Sequence, residues 1–128
     1  MEAVQDLQIY QFAVKVDLMI FKLTKSLPYK ELYLRDQVRT ASYLMISNIA
    51  EGCTSSSYRY NALSYFINAQ ASCNESRSHI KSLLHRGYCD PEEYTLLDEA
   101  LEHIGKMLTL LMRKIKNPHY PAIKHLSD

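Results

Sequence analysis

Chain breakers are scarce in this sequence, and their positions cut it into four long runs. Three Gly and four Pro stand among 128 residues, and the breaks that matter fall at Leu27-Pro28, Gly52, Gly87, Asp90-Pro91 and Asn117-Pro118. Proline removes a main-chain donor and restricts the residue before it, while glycine suits the left-handed end of a helix. Between breaks, apolar residues recur at steps of three and four, the spacing of one face of an α-helix. So few turn residues speak against an all-β architecture. With 47% hydrophobic and 23% charged residues, the chain is read as a single domain over 1–128 with one core that needs neither disulfide nor metal.

The first run carries Ile9, Phe12, Ala13, Val16, Met19, Ile20, Leu23 and Leu27 after Asp6, and predicts a helix over about 7–27. The second, through Leu34, Val38, Ala41, Met45 and Ile49, predicts a helix over 32–52 that stops at Gly52 before the polar Thr54-Ser55-Ser56-Ser57. The third, over 58–86, places Leu63, Phe66, Ile67, Ala69, Cys73, Ile80, Leu83 and Leu84 on one stripe and ends at Gly87. Its middle is polar. The fourth, over 91–116, has the clearest start, with Asp90 as N-cap, Pro91 at the first helical position and Glu93 closing a capping box. Its set Tyr94, Leu97, Leu101, Ile104, Leu108, Leu111 and Ile115 forms a coiled-coil-like seam. A tail follows over 117–128. Short connections favour antiparallel neighbours, so the fold class is all-α, an up-down-up-down four-helix bundle. A coiled-coil hairpin pair is the alternative.

The first helix carries a second apolar stripe. At 100° per residue, Leu7, Tyr10, Val14, Leu18 and Phe21 fall opposite the stripe through Ile9, Phe12, Val16, Ile20 and Leu23. A bundle within one chain buries one broad face of each helix, so the second stripe is read as a surface for self-association. The competing reading wraps it with the tail residues Tyr120, Ile123 and Leu126.

Motifs for chemistry are missing. The chain has no phosphate-cradling Gly-rich loop, no H-E-x-x-H and no G-x-S-x-G. Di-metal bundles use Glu-x-x-His pairs, and no histidine here has Glu three residues before it. Glu75 with His79, and Glu99 with His103, are four apart and are read as helix-surface pairs. The expectation is a protein that is not an enzyme, with no cofactor and no metal. Cys53, Cys73 and Cys89 are odd in number and lack C-x-x-C spacing, which with no export signal points to free thiols and a cytoplasmic location. No uncharged apolar run approaches the roughly 20 residues that cross a bilayer, so no membrane partner is expected.

The net charge of +1 gives no bulk attraction to nucleic acid, and any such binding must come from local clusters. Candidates are Arg35 with Arg39, Arg77 with Lys81, Arg59 between Tyr58 and Tyr60, and Arg113, Lys114 and Lys116 at the end of the fourth helix. The plain alternative is solvated helix faces, with acids early and bases late in the fourth helix matching its dipole.

From Leu34 to Gly52 the chain reads L-R-D-Q-V-R-T-A-S-Y-L-M-I-S-N-I-A-E-G. With Gln37, Arg39, Ala41 and the ending Asn48-Ile49-Ala50-Glu51-Gly52, it resembles the small bacterial four-helix-bundle proteins encoded in intervening sequences of 23S ribosomal RNA genes. Tyr10-Gln11-Phe12-Ala13, Leu27-Pro28 with Glu31, and Ala69-x-Ala71-Ser72-x-x-Glu75 fit the same pattern. The likeness covers the first three helices, and the fourth matches only as an amphipathic segment. The resemblance implies a ring-shaped homopentamer, related to accessory proteins of diversity-generating retroelements that bind nucleic acid and a reverse transcriptase. The chain departs from the pattern at Thr40, where a second arginine is usual, at Leu44 and Ile46, and at Thr54-Ser55, where the family has Gly-Arg. Losing two customary arginines weakens the nucleic-acid reading.

Two functions follow. One is a homo-oligomeric accessory protein that binds RNA or DNA through its cations. The other is a scaffold for protein partners with no nucleic-acid role. The first requires Arg35, Arg39, Arg77 and Lys81 to converge on one surface, and the second lets them disperse.

Overall fold

A computed structural model describes residues 7–55 and 59–117, with side chains throughout except at positions 59 and 60. Its helices are α1 (Gln8–Thr24), α2 (Leu32–Thr54), α3 (Arg59–His85) and α4 (Pro91–Lys116), with a 3-10 turn at Tyr29–Glu31 leading into α2. Among the described residues there is no strand.

The two local signals before α4 operate together. Asp90 Oδ1 accepts the Glu93 N–H at 2.8 Å, and Glu93 Oε1 accepts the Asp90 N–H at 3.4 Å, with Pro91 at the first position. At the end of α3, Gly87 takes φ +80°, Tyr88 N–H reaches Leu83 O at 2.9 Å and Gly87 N–H reaches Leu84 O at 3.1 Å. Both bonds together make a Schellman motif, and the positive φ is what selects glycine.

Two other boundaries differ from the sequence reading. α1 ends at Thr24, three residues short of Leu27, because side chains satisfy its last carbonyls there. The buried Thr24 hydroxyl donates to Ile20 O at 2.8 Å, and Arg39 of α2 donates to Phe21 O at 3.2 Å. α2 runs past Gly52 to Thr54. Gly52 is no stop: a Cβ there would lie 2.5 Å from the Phe66 ring of α3, so glycine is the residue that lets α2 and α3 approach. Asp6, read as the first helix's start signal, lies outside the described residues, as do Tyr120, Ile123 and Leu126 of the tail.

Paired residues from neighbouring helices give the topology. Arg39 meets Thr24 and Ser42 meets Asp17; Arg86 meets Glu31 and Gly52 meets Phe66; Gln70 meets Thr109 and Arg77 meets Asp98. In each case one number rises as the other falls, so α1–α2, α2–α3 and α3–α4 are antiparallel. Phe12 packs edge-on against His103, with ring centroids 5.2 Å apart, and closes the circuit between α1 and α4. The result is an up-down-up-down four-helix bundle.

One cluster of buried side chains draws on all four helices, including Val16 and Ile20, Met45 and Ile49, Phe66 and Cys73, and Leu101, Ile104 and Leu108. Burying a side chain such as Phe66 is worth roughly 1.5–3 kcal/mol. The polar middle of α3 turns partly inward. Ser76 is fully buried and bonds back to Ser72 O at 2.9 Å, so it needs no partner from another helix. Ile67, expected on the core stripe of α3, is instead half exposed, because its place in the turn points past the core. No helix among the described residues is long and apolar enough to cross a membrane.

Candidate functional site

Where α1 meets α2, polar groups turn inward and apolar ones outward. Arg39 Nε donates to Thr24 Oγ1 at 2.8 Å, and its guanidinium lies 4.2 Å from the centre of the Phe21 ring. Ser42, fully buried, donates to Asp17 Oδ1 at 2.7 Å. These bonds fix the register of the two helices. They leave Leu18 at 52%, Phe21 at 43% and Tyr43 at 65% exposure on the outside. Tyr43 follows Arg39 by one turn and therefore shares its side of α2. Lys25 places its ammonium 5.4 Å from the Phe21 ring, and with Arg39 it frames the patch in positive charge.

The second stripe of the first helix is therefore divided. Leu7 and Tyr10 are half-buried against the core and Val14 is half-buried, whereas Leu18 and Phe21 face solvent. Tyr43 was not singled out in the sequence. A tyrosine at the head of the run Tyr43-Leu44-Met45-Ile46 gives no signal of its own until Arg39 is seen to bring α1 beside it.

The predicted cations do not gather. Arg35 is half-buried and bridges Asp36 at 3.0 Å, and Arg39 is committed to Thr24 and Phe21. Arg77 is held in a two-point bridge by Asp98, at 2.8 and 3.1 Å, with Glu102 at 3.5 Å. That pairing raises its pKa further, its hydrogen bond to Asp98 being the main cause. Lys81 is exposed one turn on. Arg35 and Arg39 belong to the α1–α2 side and Arg77 to the α3–α4 side, which lie across the bundle from each other. Within one chain the four do not share a surface.

Arg113, Lys114 and Lys116 are exposed in the last turn of α4. Arg113 also lines a hollow of about 450 Å³ between α3 and α4, together with Gln70, Asn74, Arg77, Lys106 and Glu102. Arg59 opens α3, but its side chain, like that of Tyr60 and the whole of Tyr58, lies outside the described set.

The motif Asn48-Ile49-Ala50-Glu51-Gly52 reads as architecture. Ile49 is fully buried, Asn48 donates to Leu44 O at 2.9 Å on its own helix, and Ala50 is half-buried. Glu51 exposes its side chain while its carbonyl accepts the Ser55 N–H at 2.9 Å. Gly52 receives Phe66, and Gln37 is half-buried.

Cys53, Cys73 and Cys89 are buried free thiols. Burial pushes each up to about 11, so all three are protonated at neutral pH. Cys73 Sγ donates to Leu101 O at 3.1 Å, a packing contact between α3 and α4. His79 lies 3.4 Å from Glu75 on the surface of α3, while His103 packs on Phe12. Among the described residues no group of three or more His, Cys, Asp or Glu side chains is placed to hold a metal.

A family profile described as 23S rRNA-intervening sequence protein matches residues 5–110. The match runs past the first three helices and into α4. No curated protein matches the chain.

Proposed function

The chain belongs to the 23S rRNA-intervening sequence protein family, and from that premise we propose that it is a non-enzymatic accessory protein that assembles with itself and serves as a scaffold. The observation that carries this is the exposed patch of Leu18, Phe21 and Tyr43, which gathers apolar side chains from α1 and α2 around the Arg39 contact. An apolar patch framed by cations is the anatomy of a contact surface. A ring of five copies is the assembly we propose, because the resemblance implies it and each copy keeps a hydrophobic face to share.

One observation favours a second reading, the binding of RNA or DNA. Lys106, Arg113 and Arg77 line the α3–α4 hollow beside the amides Gln70 and Asn74 and around Glu102, which pairs with both Arg77 and Lys106, and a ring would repeat that hollow around its rim. The dispersal of Arg35 and Arg39 from Arg77 and Lys81 places this reading below the scaffold.

Sedimentation velocity tests both. A mass near five chains is expected, and Leu18→Glu is expected to reduce it to one chain with helical circular dichroism unchanged. A monomeric wild type overturns the assembly. On the same sample, titration with structured and single-stranded RNA and DNA over a salt series decides the second reading. Binding that weakens by roughly one power of salt per neutralised phosphate supports it, and no binding at low salt leaves the scaffold alone.

A further inference from the structure

Leu96 stands out on α4 as the α1–α2 patch does on its own side. It is 59% exposed, next to the buried Leu97 of the α4 seam. It borders two hollows at once. One, of about 300 Å³, is shared with Met19, Lys22 and Leu23 of α1 and with Glu93. The other, of about 420 Å³, is formed by Pro91, Glu92, Thr95 and Glu99. The exposed carboxylates Glu92, Glu93 and Glu99 outnumber the single cation Lys22 around this leucine, so it is an apolar spot in a predominantly negative frame. The patch of Leu18, Phe21 and Tyr43 is the converse, projecting apolar side chains in a positive frame of Lys25 and Arg39.

Resting on the self-association reading, we propose that the α1–α2 patch of one copy seats on Leu96 and its surrounding carboxylates in a second copy. Charge decides the pairing. If either patch met itself across a two-fold axis, Lys25 and Arg39 would face their own kind, or Glu92 and Glu99 would, and like charges brought together at an interface cost several kcal/mol. Joining the two different patches brings opposite charges together around apolar centres. Where each partner uses one patch, rather than both reciprocally about a two-fold axis, such a contact is heterologous and propagates from copy to copy until it closes into a ring. The carboxylates early in α4 thus serve twice, once against the helix dipole and once around the docking spot.

The test reads mass by sedimentation over a concentration series, with circular dichroism to show that each variant folds. Leu96→Glu is expected to dissociate the assembly as Leu18→Glu does, although the two residues lie on different helices. Lys25→Glu alone and Glu92→Lys with Glu99→Lys are each expected to weaken assembly by about tenfold. The combined triple variant, which restores opposite charges, is expected to return to within about threefold of wild type. Leu96→Glu with wild-type mass overturns the contact while self-association stands. Single and combined reversals that weaken assembly alike also overturn the pairing. A wild-type monomer removes the self-association reading first, and is distinguishable from both.

Discussion

The α1–α2 hairpin and the α3–α4 hairpin place their charged contacts differently. In the first, the polar bonds that join the helices are buried, with Thr24 and Ser42 fully enclosed, and large apolar side chains stand outside. In the second, the ionic bonds lie toward the rim, where Arg77 meets Asp98 and Lys106 meets Glu102 at 3.1 Å. Folding alone rewards the second way of placing charge, since ion pairs at the surface stay hydrated. The first is costly for an isolated chain: it desolvates an arginine contact and leaves Phe21 in water. A sequence that keeps that inversion is specifying a surface as well as a core.

The two hairpins join along α2 and α3, and the closeness of that join is the first way to break the comparison. Gly52→Val is expected to destabilise the protein by about 3 kcal/mol, because the new side chain enters the space of Phe66 and packed interiors yield little. Urea denaturation followed by circular dichroism measures it. An unchanged midpoint would mean that the hairpins can part without cost.

That glycine also shows where sequence reading reached its limit. Asp90, Pro91 and Glu93 were legible because a cap is made by residues within one turn of each other, and the structure has the box in place. Gly87 was legible for the same reason. Gly52 was misread as a stop because its cause, Phe66, belongs to the next helix. Arg39 was read as a free cation because no local pattern tells that Phe21 and Thr24 stand beside it. The second stripe of α1 was visible in the 100° period, but its division was not: burial of Leu7 and Tyr10 depends on neighbours from other helices. The site was legible in half of its residues, those whose face follows from α1 alone. Tyr43 and Leu96 required the packed bundle.

Double-mutant cycles on the two polar contacts sharpen the comparison at a smaller scale. The coupling between Thr24→Val and Arg39→Ala is expected to be about 2 kcal/mol, because a charged donor meets an enclosed hydroxyl and caps the end of α1. The coupling between Arg77→Ala and Asp98→Ala is expected at about 1 kcal/mol or less, since both side chains keep access to water. Raising salt to 1 M should diminish the second coupling more than the first. Equal couplings with equal salt dependence would erase the distinction between enclosed and rim contacts.

The smallest effect concerns the other helical glycine. Gly105 sits on α4 where α3 passes, yet a Cβ there would meet nothing within 4 Å, so the α3–α4 hollow is open at its floor. The Gly105 carbonyl accepts from Gln70 at 3.3 Å and from Thr109 at 3.0 Å, and both bonds use main-chain atoms that alanine keeps. Gly105→Ala should therefore stabilise the protein by about 0.5–1 kcal/mol, the ordinary helix preference of alanine over glycine. The same change at Gly52 gains that preference and loses more to the Phe66 ring, so the two substitutions should move the denaturation midpoint in opposite directions. If Gly105→Ala destabilised instead, α3 and α4 would have to approach each other as closely as α2 and α3 do, and the hollow lined by Arg77, Lys106 and Arg113 would be too shallow to receive a ligand. The sign of one small change thus bears on whether that rim can bind anything at all.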